Sequence, residues 1–250
     1  MRNMRRGNMR FLRIEEQKRR WYGGAQEWCE QKYMKQYGCG VIGCANVLLH
    51  IYQHMSDTQH MSDTVQEDGA GRKHLKWKNS FCMDKDSYME FVEHLRKYYL
   101  PVFPVIGMNG IVMMFGMNRY FHKHQLPYKA RWGCLPWNIW KRTKLMLEAQ
   151  IPVVLAVGPN FPMLWGNQRL IFYEKDGMLY HPKTTTKAHY VTITEMDGEW
   201  LTISSWGKKY YIKKAEYEMY VRKHSNYLFS NILVIQGKKK HNILCQCHKK

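Results

Sequence analysis

The most constraining feature of the sequence is an apolar run near its beginning, residues 39–53, which read CGVIGCANVLLHIYQ. On a helix these side chains are apolar nearly all round, whereas a surface helix carries a single apolar stripe. Such a helix has to be enclosed by other elements. We therefore expect residues 39–53 to form a helix buried in the middle of a domain.

Capping signals predict further helices before residue 150. Ile111, Met114 and Phe115 are predicted to face inward from one of them. The signals are a capping box at Ser87 and Glu90, an N-cap at Asn109 for a helix over about 110–124, and Pro136 at the first turn of a helix ending near Ala149.

After residue 150 the apolar pattern changes to a period of two, which predicts strands. Asp197-Gly198 predicts a tight hairpin. Helices followed by hairpin-linked strands are typical of an α+β domain with an antiparallel sheet. The predicted strands are 152–157, 168–173, 189–195, 199–204, 209–212 and 231–236.

The sequence predicts a single domain over residues 26–237. A basic arm, residues 1–25, precedes it, and a basic tail, residues 238–250, follows it. A polar stretch at about 54–80 contains the tandem repeat QHMSDT-QHMSDT, which predicts a surface insertion.

The net charge of +19 raises the question of a polyanionic partner. No zinc-finger or RRM signature accompanies the charge, so we expect no specific nucleic-acid partner. No run of 18 apolar residues is present, which predicts no membrane span. The basic start is not followed by the apolar segment of a signal peptide, so we expect a cytoplasmic protein.

Seven scattered cysteines do not resemble a disulfide scaffold and fit a reducing compartment. Cys245, Cys247 and His248 form a Cys-x-Cys-His, but this is not the usual spacing of a zinc site. We expect neither a metal nor an organic cofactor.

Cys39 is placed where a cysteine can become a nucleophile. The N-terminus of a helix offers unpaired N–H groups and a partial positive charge, both of which stabilise a thiolate. The flanking Gly38 and Gly40 allow backbone and substrate to approach closely. Cys44 lies deeper in the same helix and is expected to be a protonated packing residue.

A nucleophile needs a base, and His189 opens a predicted strand 150 residues downstream. The Cys-Gly at the head of a buried helix, the His-led hairpin and the SSWG at 204–207 together resemble papain-like cysteine peptidases. They are most similar to the bacterial branch related to the bacteriocin-processing (leader-cleaving) peptidases, in which an apolar strand like IPVVLAV also precedes the histidine strand. The matched segments are 30–53, 144–160 and 186–213.

The resemblance implies a papain-like fold and assigns roles to individual residues. Cys39 would be the nucleophile and His189 its general base and acid. Ser204 stands where the family usually has the Asn or Asp that orients the histidine, with Ser205 as the other candidate. Trp206 would cover that contact. The last role is that of a glutamine that helps to stabilise the oxyanion and usually lies six residues before the cysteine. Position 33 is Tyr here, so Gln36 or Gln31, which lie on either side of it, would take this role.

These roles predict a cysteine peptidase or related thiol acyl hydrolase that acts on a peptide or protein. The alternative is a catalytically inactive papain-like domain that binds peptides. A serine orients imidazole less firmly than an amide or carboxylate does, and it carries no charge to stabilise an imidazolium. An inactive domain would explain why a serine stands at the orienting position and why the glutamine is displaced.

Overall fold

The structure is a computed structural model that describes residues 9–58, 77–79, 81–105, 107–163 and 165–238, with only the backbone of residues 56–58 and 77–79. The second QHMSDT copy, most of the predicted insertion and the Cys-x-Cys-His of the tail lie outside the described residues.

The described chain is a mixed α+β structure. Its α-helices are α1 Lys32–Tyr37, α2 Cys39–Thr58, α3 Lys85–Tyr98, α4 Gly110–Lys123, α5 Ile139–Glu148 and α6 Lys214–His224. A short 3₁₀ helix spans Gln26–Trp28. The strands are β1 Arg13–Glu16, β2 Arg19–Tyr22, β3 Trp77–Asn79, β4 Cys82–Asp84, β5 Tyr128–Trp132, β6 Val153–Val157, β7 Leu170–Asp176, β8 Leu179–Thr186, β9 His189–Asp197, β10 Trp200–Ser205, β11 Lys208–Lys213 and β12 Ile232–Gly237.

The larger of two sheets has eight antiparallel strands in the order β5-β12-β6-β9-β10-β11-β7-β8. All the strands predicted after residue 150 occur in it, so the α+β prediction is confirmed. The predicted hairpin also forms, because Asp197 pairs with Trp200 and Gly198 adopts a φ of +52° at the turn.

The long helix α2 packs across β6 and β9 and against α3. A Cβ at Gly43 would lie 3.4 Å from Val154 on β6, which shows how close the helix and sheet approach. The burial predicted for this helix is confirmed by its fully covered side chains, Val41, Cys44, Ala45, Val47, Leu48 and Leu49. The core of the domain therefore lies between α2 and the centre of the large sheet.

Three helix predictions were wrong in detail. Pro136 does not lie in the first turn of α5, because that helix begins at Ile139 with Asn138 as its N-cap. The N-cap of α3 is Asp84, whose side chain accepts from the Ser87 N–H.

On α4 the cap is Asn109 as predicted, but Ile111 is 46% exposed and Phe115 66% exposed. Because the whole segment is apolar, its pattern did not define a face; the buried face carries Gly110, Met113, Gly116, Met117, Tyr120 and Phe121.

The structure shows ordered strands within the predicted basic arm, a point that the sequence left open. Within residues 1–25, β1 and β2 form a hairpin, and β1 pairs in parallel with β4 in a four-stranded sheet. Leu12 and Ile14 are fully buried, while Arg13 between them is exposed. This short alternation was hidden among basic residues, and the folded part of the chain begins well before residue 26.

The packing of α4 and α2 makes a testable contrast between two helical glycines. A Cβ at Gly116 would lie 2.3 Å from the carbonyl oxygen of Tyr99, whereas one at Gly43 meets only ordinary contacts. Gly116→Ala should lower the free energy of unfolding by about 1–3 kcal/mol through overpacking. Gly43→Ala should be neutral or gain up to about 1 kcal/mol from helix propensity. Thermal unfolding of both variants measures this, and equal stability would contradict the packing.

Candidate active site

The first turn of α2 and the first residue of β9 meet at one small cavity. Cys39, His189, Ser205, Trp206 and Gln26 all contribute to its lining. The space inside is about 10 Å³, close to the minimum that holds one water molecule. The two residues that the sequence proposed as nucleophile and base therefore lie at the same cavity.

Cys39 is held at the start of α2 by a sharp junction with α1. The N–H of Gly38 donates to the carbonyl of Met34 at 2.9 Å, and a Cβ at Gly38 would come within 2.5 Å of that oxygen. A Cβ at Gly40 would lie 2.7 Å from Cε of Met108. Both glycines thus permit close contacts around the cysteine, as the sequence suggested.

The Cys39 sulfur is a neutral thiol in this enclosed state. The residue is 8% exposed, and burial raises the pKa of its thiol to about 11. Backbone N–H groups of Tyr190, Gly40 and Cys39 itself act in the opposite direction but do not outweigh burial. Burial also raises the pKa of Cys44, which is fully covered, in agreement with its predicted packing role.

His189 is fixed from two sides. Its Nε2 shares a 2.8 Å hydrogen bond with Oγ of Ser205, and its ring stacks on Trp206 with centroids 4.6 Å apart and planes 14° from parallel. The Ser205 contact leaves Nδ1 as the ring nitrogen for any other partner. Burial lowers the pKa of His189 to about 4, so the ring is neutral at physiological pH.

Ser204 lines the same cavity as His189, but the hydrogen bond to the ring is made by Ser205. The Ser204 hydroxyl donates to the backbone carbonyl of Tyr22 at 2.6 Å. Ser204 pairs with Thr192 across β10 and β9, so the two share a face of the sheet, and alternation places Ser205 on the other face with His189. The strand register therefore selects the second serine.

Gln36 is exposed on α1 and does not line the cavity. Gln31, the other candidate, does not line it either. The glutamine at the cavity is Gln26, in the 3₁₀ helix, whose side-chain amide donates to the carbonyl of Lys35 at 2.8 Å. Gln26 lies 13 residues before Cys39, with α1 between them, so the expected spacing of six residues did not indicate it. The only sequence signal was the run of small residues GGA before it.

A segment that we call the strap, residues 22–24, connects the cavity to the small sheet. Both ends of the strap are bonded to the backbone of Gly207. The Tyr22 N–H donates to the Gly207 carbonyl at 2.7 Å, and the Gly207 N–H donates to the Gly24 carbonyl at 3.0 Å. The Ser204 hydroxyl supplies a further bond to the strap. The strap thus fixes where the following Gln26 lies.

Asn46 joins the strap to the helix and the sheet. It lies on α2 and is almost completely buried. Its Oδ1 accepts from the Gly24 N–H at 3.0 Å and from the Tyr88 hydroxyl at 2.9 Å, and its Nδ2 donates to Oγ1 of Thr192 at 3.3 Å. One amide therefore positions the segments that carry Gln26, Cys39 and His189.

Among the residues that the structure describes, no group of three or more His, Cys, Asp or Glu side chains could hold a metal ion. Over the same residues, none of the helices is both long and apolar enough to cross a membrane. No protein-family model, curated protein or solved structure matches the chain.

Burial of His189 predicts a loss of stability in mild acid. Its pKa falls from 6.5 to about 4 on folding, so the unfolded chain takes up the proton first as the pH drops. The stabilisation is complete above about pH 6.5 and is lost towards pH 4, by about 2 kcal/mol between pH 7 and pH 5. In His189→Gln this contribution is absent. Between pH 7 and pH 5 its free energy of unfolding, measured with denaturant, should therefore fall by about 2 kcal/mol less than that of the parent protein. An unchanged dependence would contradict a buried neutral ring.

Proposed function

We propose that the protein is a papain-like cysteine hydrolase that cleaves a peptide or amide bond with Cys39 and His189. The observation that carries the proposal is that a cysteine at a helix N-terminus and a histidine held by Ser205 and Trp206 line the same cavity. The order of these elements, a buried helix followed by an antiparallel sheet, supports the papain-like assignment and the relation to leader-cleaving peptidases.

The proposed reaction starts from a neutral pair, because burial raises the pKa of Cys39 and lowers that of His189. Nδ1 of His189 takes the thiol proton as the sulfur bonds to the substrate carbonyl carbon. In the required tautomer Nε2 carries its hydrogen and donates to Ser205. The imidazolium then gives the proton to the leaving amine, and an acyl-enzyme forms.

Water completes the cycle. His189 removes a proton from the water as its oxygen attacks the thioester carbon, and the proton returns to the sulfur as the acid product leaves. The developing oxyanion would be stabilised by the N–H of Cys39 and by the amide of Gln26, after Gln26 releases the Lys35 carbonyl. The cavity is too small for a peptide, so substrate entry requires these groups to move apart.

The second candidate is a papain-like domain that binds peptides without cleaving them. The observation that favours it is the covered state of the site: the thiol is protonated and the Gln26 amide is engaged by Lys35. Ser205 also offers His189 a neutral partner, which stabilises an imidazolium less than a carboxylate would.

Labelling by a peptidyl vinyl sulfone distinguishes the two candidates, because a thiol adds to this electrophile rapidly only when a base removes its proton. The hydrolase should be labelled once, at Cys39, as measured by intact mass and peptide mapping. His189→Ala should abolish labelling, whereas Cys134→Ser, which removes an exposed thiol, should leave it unchanged. Reaction only at Cys134, or reaction at Cys39 independent of His189, would favour the binding domain.

The two serines should have separable effects in the same assay. Ser205→Ala should slow labelling of Cys39 about tenfold, because one hydrogen bond that orients His189 is lost. Ser204→Ala should keep the labelling rate but lower the free energy of unfolding by about 1 kcal/mol, since it leaves the partly buried Tyr22 carbonyl without this donor. If Ser204→Ala slowed labelling more than Ser205→Ala, the assigned roles would be reversed.

A further inference from the structure

A second and much larger cleft also borders the strap. Tyr22 lines this cleft, whereas Gly24 lines the Cys39 cavity. The cleft encloses about 570 Å³. We call it the basic cleft, because four cationic side chains contribute to its lining: Arg10, Arg13, Arg20 and Lys209.

Three of these cations lack an acidic partner within the part of the chain that the structure describes. Arg20 is paired with Glu15 at 2.7 Å. Arg10, Arg13 and Lys209 form no salt bridge there. Unpaired like charges that converge in a concave site attract an anion. The basic cleft therefore has charge to offer to a ligand.

The aromatic rings of the cleft are already covered. Arg13 and Lys209 lie over the ring of Tyr22, with Cζ and Nζ 6.0 and 5.0 Å from its centroid. Arg10 lies 6.0 Å over the ring of Phe81, and Phe11 packs on Tyr22 with centroids 4.9 Å apart. Base stacking on an exposed ring is what single-stranded nucleic acids need, so this cleft does not suit them.

The charges are also spread in a way that suits a peptide. The cations come from separate elements, with Arg13 on β1, Arg20 on β2 and Lys209 on β11. Glu15, which is paired with Arg20, and Glu195 lie among the cations of the lining and interrupt the positive charge. An interrupted row of cations suits acidic side chains that are separated by neutral residues along an extended chain better than it suits an unbroken row of phosphates.

We propose that the basic cleft is a binding site for an acidic segment of a peptide or protein, bound in extended form through Asp and Glu side chains. The register of β10 and β11 places Lys209 opposite Ser204, which anchors the strap beside the Cys39 cavity. The proposal does not require catalysis, and it can be tested on protein that lacks the Cys39 thiol.

The test uses Cys39→Ala protein and a fluorescein-labelled peptide of about ten residues, in which Glu and Asp alternate with Ser and Gly. Fluorescence anisotropy should show binding that weakens as NaCl rises from about 50 to about 500 mM. A Gln and Asn version of the peptide should bind at least tenfold more weakly.

The decisive variant is Arg13→Gln with Lys209→Gln, which should weaken binding about fivefold or more. Its matched control is Lys141→Gln with Arg142→Gln, which removes the same charge from exposed positions on α5, away from the cleft. The control should bind as the parent does. Thermal unfolding verifies that both double variants are folded.

Equal weakening by both double variants would show that only net charge attracts the peptide, and it would overturn the proposal. Tighter binding of a single-stranded oligonucleotide of equal charge, sensitive to Arg13 and Lys209, would overturn it in favour of nucleic acid. Full competition by inorganic pyrophosphate at the concentration of the peptide would indicate a site for a small anion instead.

Discussion

The close approach of α2 to the strand β9 forms the centre of the core and positions the candidate site. Gly40, Gly43 and Asn46 are spaced by three along one face of α2. A Cβ at Gly40 would lie 3.3 Å from the ring of Tyr190, and one at Gly43 would lie 3.9 Å from Thr192. Because two of these three residues have no side chain, the helix can lie directly on the sheet. The first residue of the helix, Cys39, then lies at the same cavity as His189, the first residue of β9.

This approach determines both the position and the chemistry of the candidate site. It brings Cys39 to the same cavity as His189, and it also removes both from water. Burial disfavours a charged form of either residue. The cost of burying polar groups nearby is offset by hydrogen bonds, of which the three made by the Asn46 amide are the clearest example.

The sequence predicted the parts of the fold whose apolar pattern was clear. Six strands after residue 150 were found because each carries a short apolar run, and α2 was found because it is apolar nearly all round. The largely polar strand β8 was missed. Short strands among basic residues, such as β1, gave too few alternations to be recognised. The face of α4 was misjudged because residues 110–117 are apolar on every side of the helix, so their pattern does not single out the buried face.

The candidate site was predicted where it depends on local position and missed where it depends on register. Cys39 and His189 open a helix and a strand, and both positions are legible in the sequence. The choice of Ser205 over Ser204 follows from the pairing of β10 with β9. The position of Gln26 at the cavity follows from the contacts of the strap and from α1, which lies between Gln26 and Cys39 in the chain. Neither feature has a spacing that a single sequence could reveal.

Bridging by 1,3-dibromoacetone tests whether Cys39 and His189 lie side by side, because this short reagent can join a thiol to an imidazole only when the two are adjacent. We expect one cross-link, between the Cys39 sulfur and a ring nitrogen of His189, detected by mass spectrometry of the digested protein. Alkylation of Cys39 with the second arm free, or joined to a residue other than His189, would contradict this expectation.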